Sequence, residues 1–236
     1  MNEIPKIIHQ IWSGIYEPLP KHFSVFSDTW KKHHPTWEYI FWDEERINHF
    51  MKDFYPQYLT AYKSFKYDIQ RWDVIRYLIL EKIGGVYVDF DYECLSPFDD
   101  MLKGNSCCFA SEPSEYRKTF SKEIYFNNAL MASITNHPFM KIIIEAVFKE
   151  PDNVKTYPDK FMEVLKTTGP LLITSLYEQY DFRESIYLIP EEMVSPLTKK
   201  DVYIIINKET ETEVEDYLEN KLEQAIAVHY FWGSWL

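Results

Sequence analysis

The chain has 236 residues, and 37 acidic side chains against 25 lysines and arginines give a formal net charge of −12. That length suits one α/β domain, and an apolar content of 46% excludes an intrinsically disordered chain. The deficit of basic residues argues against a nucleic-acid partner, because neutralising phosphates needs a surplus of them.

Residues 4–12 form a β-branched run ending at Ser13-Gly14, which predicts a strand and a turn. A helix is expected over 23–32, broken by His34-Pro35. Residues 37–42 read as a second strand, and Asp43-Glu44-Glu45 opens a helix with acidic groups in its first turn. The clearest helix covers 67–83, with Gly84-Gly85 as its stop, and residues 86–91 return as a strand. Strand, helix and strand in this order predict an α/β fold whose central, mainly parallel sheet is flanked by helices. Further on, 106–110 reads as a strand, 137–148 and 170–180 as helices, and 186–189 and 202–206 as extended segments. Residues 225–230 read as a last strand before an aromatic tail. The charged run 209–223 carries Val214, Leu218 and Leu222 at helical spacing, the pattern of a solvated amphipathic helix.

Three cysteines, Cys94, Cys107 and Cys108, have neither zinc-type spacing nor the even number of a disulfide framework, which points to a reducing compartment. No apolar run nears the roughly 18 residues of a membrane span, and the first residues lack a signal-peptide core. A cytoplasmic protein is expected, with peripheral contact at the inner face of a membrane left open.

The chemistry centres on Asp89-Phe90-Asp91. In an extended segment Tyr87, Asp89 and Asp91 share a face, which places the two carboxylates roughly 7 Å apart. Like charges so close repel, and a divalent cation with a preference for oxygen ligands, Mg²⁺ or Mn²⁺, removes that penalty. Open sheets bind ligands beyond the carboxyl ends of their strands, where this pair falls. With 14 aspartates in the chain, chance alone yields about one such tripeptide, so context decides. The preceding helix is apolar around most of its circumference yet carries Asp73 and Arg76 on one side. Charges on a largely buried helix need partners, and a shared cleft with Asp89 would supply them.

These residues resemble those of a known family. Asp73-x-x-Arg76 followed by Gly84-Gly85-Val86-Tyr87-Val88-Asp89-Phe90-Asp91 is similar to the signature of glycosyltransferase family 32, whose core resembles that of the clostridial glucosylating toxins. Ile4-Pro5-Lys6-Ile7-Ile8-His9-Gln10-Ile11-Trp12, Asn127-Asn128-Ala129, His137-Pro138, Thr168-Gly169-Pro170 and the terminal His229…Ser234-Trp235 extend the likeness, in order, over nearly the whole chain. The resemblance implies a Rossmann-like fold of the GT-A type, formed as one domain by residues 1–236. Its first hundred residues would bind the nucleotide sugar, and 101–236 would supply the acceptor side and a closing tail. It implies Asp91 as metal ligand, with His229, and Asp89 between the metal and the donor's ribose. Asp73 and Arg76 would hold the donor sugar and phosphate, Trp12 and Tyr87 would wall the nucleotide pocket, and Ser234 and Trp235 would reach the diphosphate. Asn127 or Asn128 would face the transferred sugar, the Asn-Ala pattern favouring Asn128.

The implied activity is a metal-dependent, retaining hexosyl transfer from a nucleotide sugar, with UDP-sugars favoured and Mn²⁺ or Mg²⁺ as cofactor. The implied acceptor is a saccharide or lipid-linked saccharide in bacterial capsule or surface polysaccharide synthesis. No carboxylate stands out as a nucleophile, so same-face attack is expected, with the leaving phosphate taking the proton. Two other readings are a toxin-like enzyme acting on protein and a catalytically silent nucleotide- or carbohydrate-binding module. Glu112, Glu115 and Tyr116 fall in the segment after the D-x-D hairpin, where an acceptor could bind, but read rather as an exposed loop.

Overall fold

Gly84 and Gly85, at φ 74° and 101°, turn the chain from a long buried helix straight into the strand that carries the acidic pair. A Cβ on Gly85 would lie 2.7 Å from the Ile7 carbonyl oxygen and 3.1 Å from His9 Nε2, so glycine is what lets the first and third strands close. The structure, a computed structural model, describes residues 3–15, 17–149, 156–207 and 212–232.

The chain begins β1 (Ile7–Ile11), α1 (Lys21–His33), β2 (Glu38–Trp42), α2 (Glu44–Phe54), α3 (Leu59–Ser64) and α4 (Asp68–Lys82). Asp43 caps α2 by accepting the Arg46 backbone N–H, as its acidic opening predicts. Next come β3 (Gly85–Val88), β4 (Tyr92–Cys94), α5 (Asp99–Leu102), β5 (Cys107–Ser111), α6 (Ser114–Thr119) and β6 (Phe126–Ser133). The remainder is α7 (Pro138–Phe148), α8 (Lys160–Thr167), α9 (Pro170–Glu178), β7 (Tyr187–Ile189), α10 (Glu191–Val194), α11 (Lys199–Asn207), α12 (Thr212–Leu222) and β8 (Ala227–His229).

Six strands form one sheet in the order β2-β1-β3-β6-β5-β7, while β4 and β8 make a separate antiparallel pair. Within the six, β6 alone runs against the rest, pairing antiparallel with both β3 and β5. The expected mainly parallel sheet is therefore present with one reversed strand at its centre. On α4, Val74, Ile75, Leu78, Ile79 and Leu80 are fully buried, and each such side chain contributes about 1.5–3 kcal/mol relative to exposure. That burial carries Asp73 and Arg76 into the interior with them.

Two expectations are corrected, and one strand was not foreseen. The strand at 86–91 stops at Val88: Asp89 N–H still bonds the Ala129 carbonyl, but the chain then turns, with Tyr92 N–H returning to the Asp89 carbonyl. The turn lets Phe90 pack among Trp12, Phe23 and Phe41. Residues 202–206 are helical rather than extended. Thr198 and Asp201 cap α11 reciprocally, the Thr198 N–H donating to Asp201 Oδ2 and the Asp201 N–H to Thr198 Oγ1, and this outweighs the β-branched run behind it. Finally, β6 carries no periodic signal because every one of its residues is buried. The charged run read as an amphipathic helix forms α12 from Thr212 onward, residues 209–211 lying outside the described residues. No helix among the described residues is long and apolar enough to cross a membrane.

His9 stitches β1 to its neighbours. Its Nε2–H donates to the Gly84 carbonyl at 2.8 Å, and its Nδ1 accepts the Trp42 indole N–H at 3.1 Å. That arrangement requires a neutral ring, and burial lowers its pKa to about 4. Because the unfolded chain takes up a proton near pH 6.5 while the folded one resists until about 4, stability falls as pH drops through that window. Urea unfolding of the wild type should therefore lose about 2 kcal/mol between pH 7 and pH 5 from this residue. In His9→Asn that share of the loss should disappear.

Candidate active site

At the carboxyl end of β3 a cleft of about 770 Å³ opens, lined by residues from β1, α4, β3, β6, α8 and the C-terminal segment. Its floor is built on Arg76, which is buried to 4% exposure. The guanidinium lies 3.5 Å from Asp73 Oδ1 and 3.4 Å from Asp89 Oδ2, and donates to the Asn128 carbonyl at 2.9 Å. It also stacks over the Tyr87 ring at 4.7 Å. Asp73 accepts from the Asn128 amide and from Thr168 Oγ1, both at 2.9 Å. Burial pushes its carboxyl up to about 6, with Arg76 opposing the rise. Asp89 accepts from the Tyr87 hydroxyl; burial raises it, Arg76 works against this, and the Asp91 charge adds to it.

Asp91 belongs to a second cluster. Pairing of β4 with β8 sets Tyr92 opposite His229, and the two rings stack at 4.4 Å. His229 Nε2 comes within 3.3 Å of Asp91 Oδ2, which also accepts the Trp232 backbone N–H at 2.9 Å. Burial lowers the His229 pKa, but Asp91, Glu112 and Asp89 outweigh it and hold the imidazole above its usual value. Burial raises Asp91 in turn, and His229 with the Trp232 N–H more than offsets that, holding it below the ordinary range.

Of the residues singled out from the sequence, the cleft brings together Trp12, Asp73, Arg76, Tyr87, Asp89, Asp91, Asn127, Asn128 and His229. Ser234 and Trp235 lie outside the described residues. The two asparagines divide the work. Asn128 holds Asp73, whereas Asn127 Nδ2 sits 3.2 Å from His229 Nδ1, so each ties one cluster to β6. The expected three-member metal set is not assembled. The Asp89 oxygens face Tyr87 and Arg76, and among the described residues no three of His, Cys, Asp and Glu are arranged to hold a metal ion. Asp91 and His229 are the two donors that converge.

Residues 20–108, which span Asp73, Arg76 and both aspartates of this site, match the family described as a glycosyltransferase sugar-binding region containing a DXD motif. The chain belongs to this DXD glycosyltransferase family. Inositol phosphoceramide mannosyltransferase 2 of Schizosaccharomyces pombe is 33% identical over 177 residues, covering 75% of this chain but 47% of that protein. This chain thus spans less than half the length of that relative. An uncharacterised glycosyltransferase of Acanthamoeba polyphaga mimivirus is 29% identical over 211 residues, 85% of this chain and 80% of that one. The solved structure of PaToxG glycosyltransferase superposes with a TM-score of 0.56 at 16% identity, covering 93% of this chain and 79% of that one. At that identity it shows a shared fold, which is GT-A.

One residue of the site escaped the sequence reading, and two others were given a different environment. Tyr77, one turn beyond Asp73 on α4, accepts from the Asn128 amide at 2.8 Å and donates to the Thr168 carbonyl at 2.6 Å. Its i+4 spacing from Asp73 was the available signal. Glu112 and Tyr116, read as exposed loop, line the cleft.

Removing Arg76 would leave Asp73 and Asp89 facing each other without a counter-charge. Arg76→Met should therefore cost about 3–5 kcal/mol in urea unfolding. Adding Asp73→Asn should recover part of the loss, a coupling that a double-mutant cycle reads directly.

Proposed function

We propose that this chain transfers a hexosyl group from a nucleotide sugar to a hydroxyl acceptor, with a divalent cation held by Asp91 and His229. The observation that carries this reading is the convergence of those two donors, far apart in the sequence, beside the buried Asp73–Arg76–Asp89 network in one cleft. A carboxylate and an imidazole suit a first-row divalent ion that completes its shell with phosphate oxygens and water. When bound, such a cation supplies Lewis-acid stabilisation of the diphosphate leaving group.

The chain's own residues account for the rest. Asp73, Asp89 and Asp91 surround a single arginine and a single histidine, so an anionic diphosphate meets an acidic centre and needs a cation between. Arg76, locked by four partners, presents a fixed positive charge with no reorganisation during reaction. Trp12, Tyr67 and Trp72 line the cleft with aromatic surface suited to a base or a sugar ring. Asp73 is held by Asn128 and Thr168, which makes it a poor nucleophile and favours same-face attack with retained configuration. The segment Phe231-Trp232 crosses the mouth of the cleft, Trp232 packing 4.9 Å from His22, and there excludes water.

The Schizosaccharomyces pombe relative, an inositol phosphoceramide mannosyltransferase, favours a mannosyl donor and a lipid-linked acceptor over the capsule polysaccharide that the resemblance suggested. A lipid acceptor also fits peripheral membrane contact. Thermal-shift screening of UDP-, GDP- and CDP-sugars with Mn²⁺ or Mg²⁺ tests the reading. A donor at 100 times its Kd should stabilise by about 2.7 kcal/mol, a shift of roughly 5–10 °C. The shift should require the cation and should vanish in Asp91→Asn and in His229→Gln. A cation-independent shift, or one that both variants retain, would remove the proposed role of this pair.

A further inference from the structure

One carboxyl in the cleft has no place in the network just described. Glu112 follows β5 immediately, its N–H bonding the Tyr125 carbonyl at 2.9 Å, and its side chain lines the cleft. Its Oε2 is buried and has no hydrogen-bond partner among the described residues, in a protein where every neighbouring acid of the site is paired. An orphaned buried carboxylate oxygen is destabilising, and a ligand hydroxyl would relieve it. Burial pushes this carboxyl up to about 7, with His229 and Lys199 opposing the rise.

The position of Glu112 separates it from the donor-binding residues. Along the strand ends the sheet runs β1, β3, β6, β5, so Trp12 stands at one end of the cleft and Glu112 at the other, with the Asp89/Asp91 turn and the two asparagines between them. Neighbouring strands lie about 4.8 Å apart, which puts the root of Glu112 roughly 10 Å from the end of β3. Around it the cleft changes character. Tyr116, Phe120 and Tyr125 supply ring surface, the last two 5.1 Å apart, and the Tyr116 hydroxyl is fixed by the Lys199 backbone N–H at 3.0 Å. A carboxylate beside aromatic faces is the combination that recognises a polyol ring, the acid taking hydroxyl protons and the rings covering the C–H face.

We propose that Glu112 is the acceptor-binding residue: its free carboxylate oxygen receives a hydroxyl of a saccharide or inositol ring that lies against Tyr116, Phe120 and Tyr125. This rests on the transferase reading above, and the experiment keeps the two apart. The donor-induced thermal shift is measured first on wild type, Glu112→Ala and Glu112→Gln, using the nucleotide sugar found by the screen. Transfer of labelled sugar to myo-inositol and to methyl α-mannoside is then followed at saturating donor. The donor-induced shift should persist in both variants, whereas Glu112→Ala should raise the acceptor KM by about 10- to 100-fold, the loss of a hydrogen bond to a charged group. Glu112→Gln, which keeps an accepting oxygen, should restore most of that. Both unliganded variants should melt at or above the wild-type temperature, since an unpaired buried charge is removed. An unchanged acceptor KM in Glu112→Ala overturns the assignment, as does loss of the donor-induced shift, which would place Glu112 on the donor side. Wild type that binds donor but transfers to neither polyol overturns the polyol class alone. Wild type that binds no donor overturns the transferase reading and this assignment together.

Discussion

A guanidinium sealed inside the protein between two carboxylates is the constraint on which the cleft depends. Arg76 is buried on an apolar helix, and neither it nor Asp73 could stay there without the other. The pair also fixes everything within its reach. Through Arg76 the helix holds the β3 end at Asp89 and the β6 backbone at Asn128; through Asp73 it holds the Asn128 amide and Thr168 before α9. Four segments far apart in sequence are thereby set in one geometry, with the polar atoms of each satisfied.

The second organising contact is the short pairing of β4 with β8. Three residues on each strand suffice to bring His229 against Asp91, 138 positions earlier in the chain, and the stacked Tyr92 ring keeps the imidazole plane in place. Because that pair lies outside the six-stranded sheet, the C-terminal segment can cross the cleft without disturbing the sheet's register. Aromatic contacts of Trp232 with Phe23 and Phe26, and of Tyr230 with Phe26, hold this crossing against α1. The Asp91–His229 pair and the Phe231-Trp232 segment are thus parts of one structural element that lines the cleft.

At the β3 end of the cleft, within the region matched by the DXD family, the charged residues are densely placed and mutually bonded. The far side of the cleft carries Glu112 with Tyr116, Phe120 and Tyr125, and the acceptor proposed above would lie there.

Local pattern determined a good deal by itself. The strand–helix–strand order, the Gly84-Gly85 stop, the Asp43 cap and the burial of α4 all follow from spacing and residue type over fewer than twenty residues, and each is present. So is the placement of Asp73, Arg76, Asp89 and Asp91 along one cleft, because charges on an apolar helix have few places to go. Tertiary structure decided what alternation could not. Asp89 and Asp91 sit in a turn and serve different partners, since Arg76 and Tyr87 claim the first and His229 the second. β6 went unrecognised because a strand buried on both faces has no two-residue period, and the reversed direction it imposes on the sheet is a long-range property. Residues 202–206 became helical through a Thr198–Asp201 cap that outweighed β-branched propensity. The enclosure of Glu112 was hidden for the same reason: whether a loop acid is solvated or enclosed depends on which rings fold over it, and those come from segments that only the packed chain brings together.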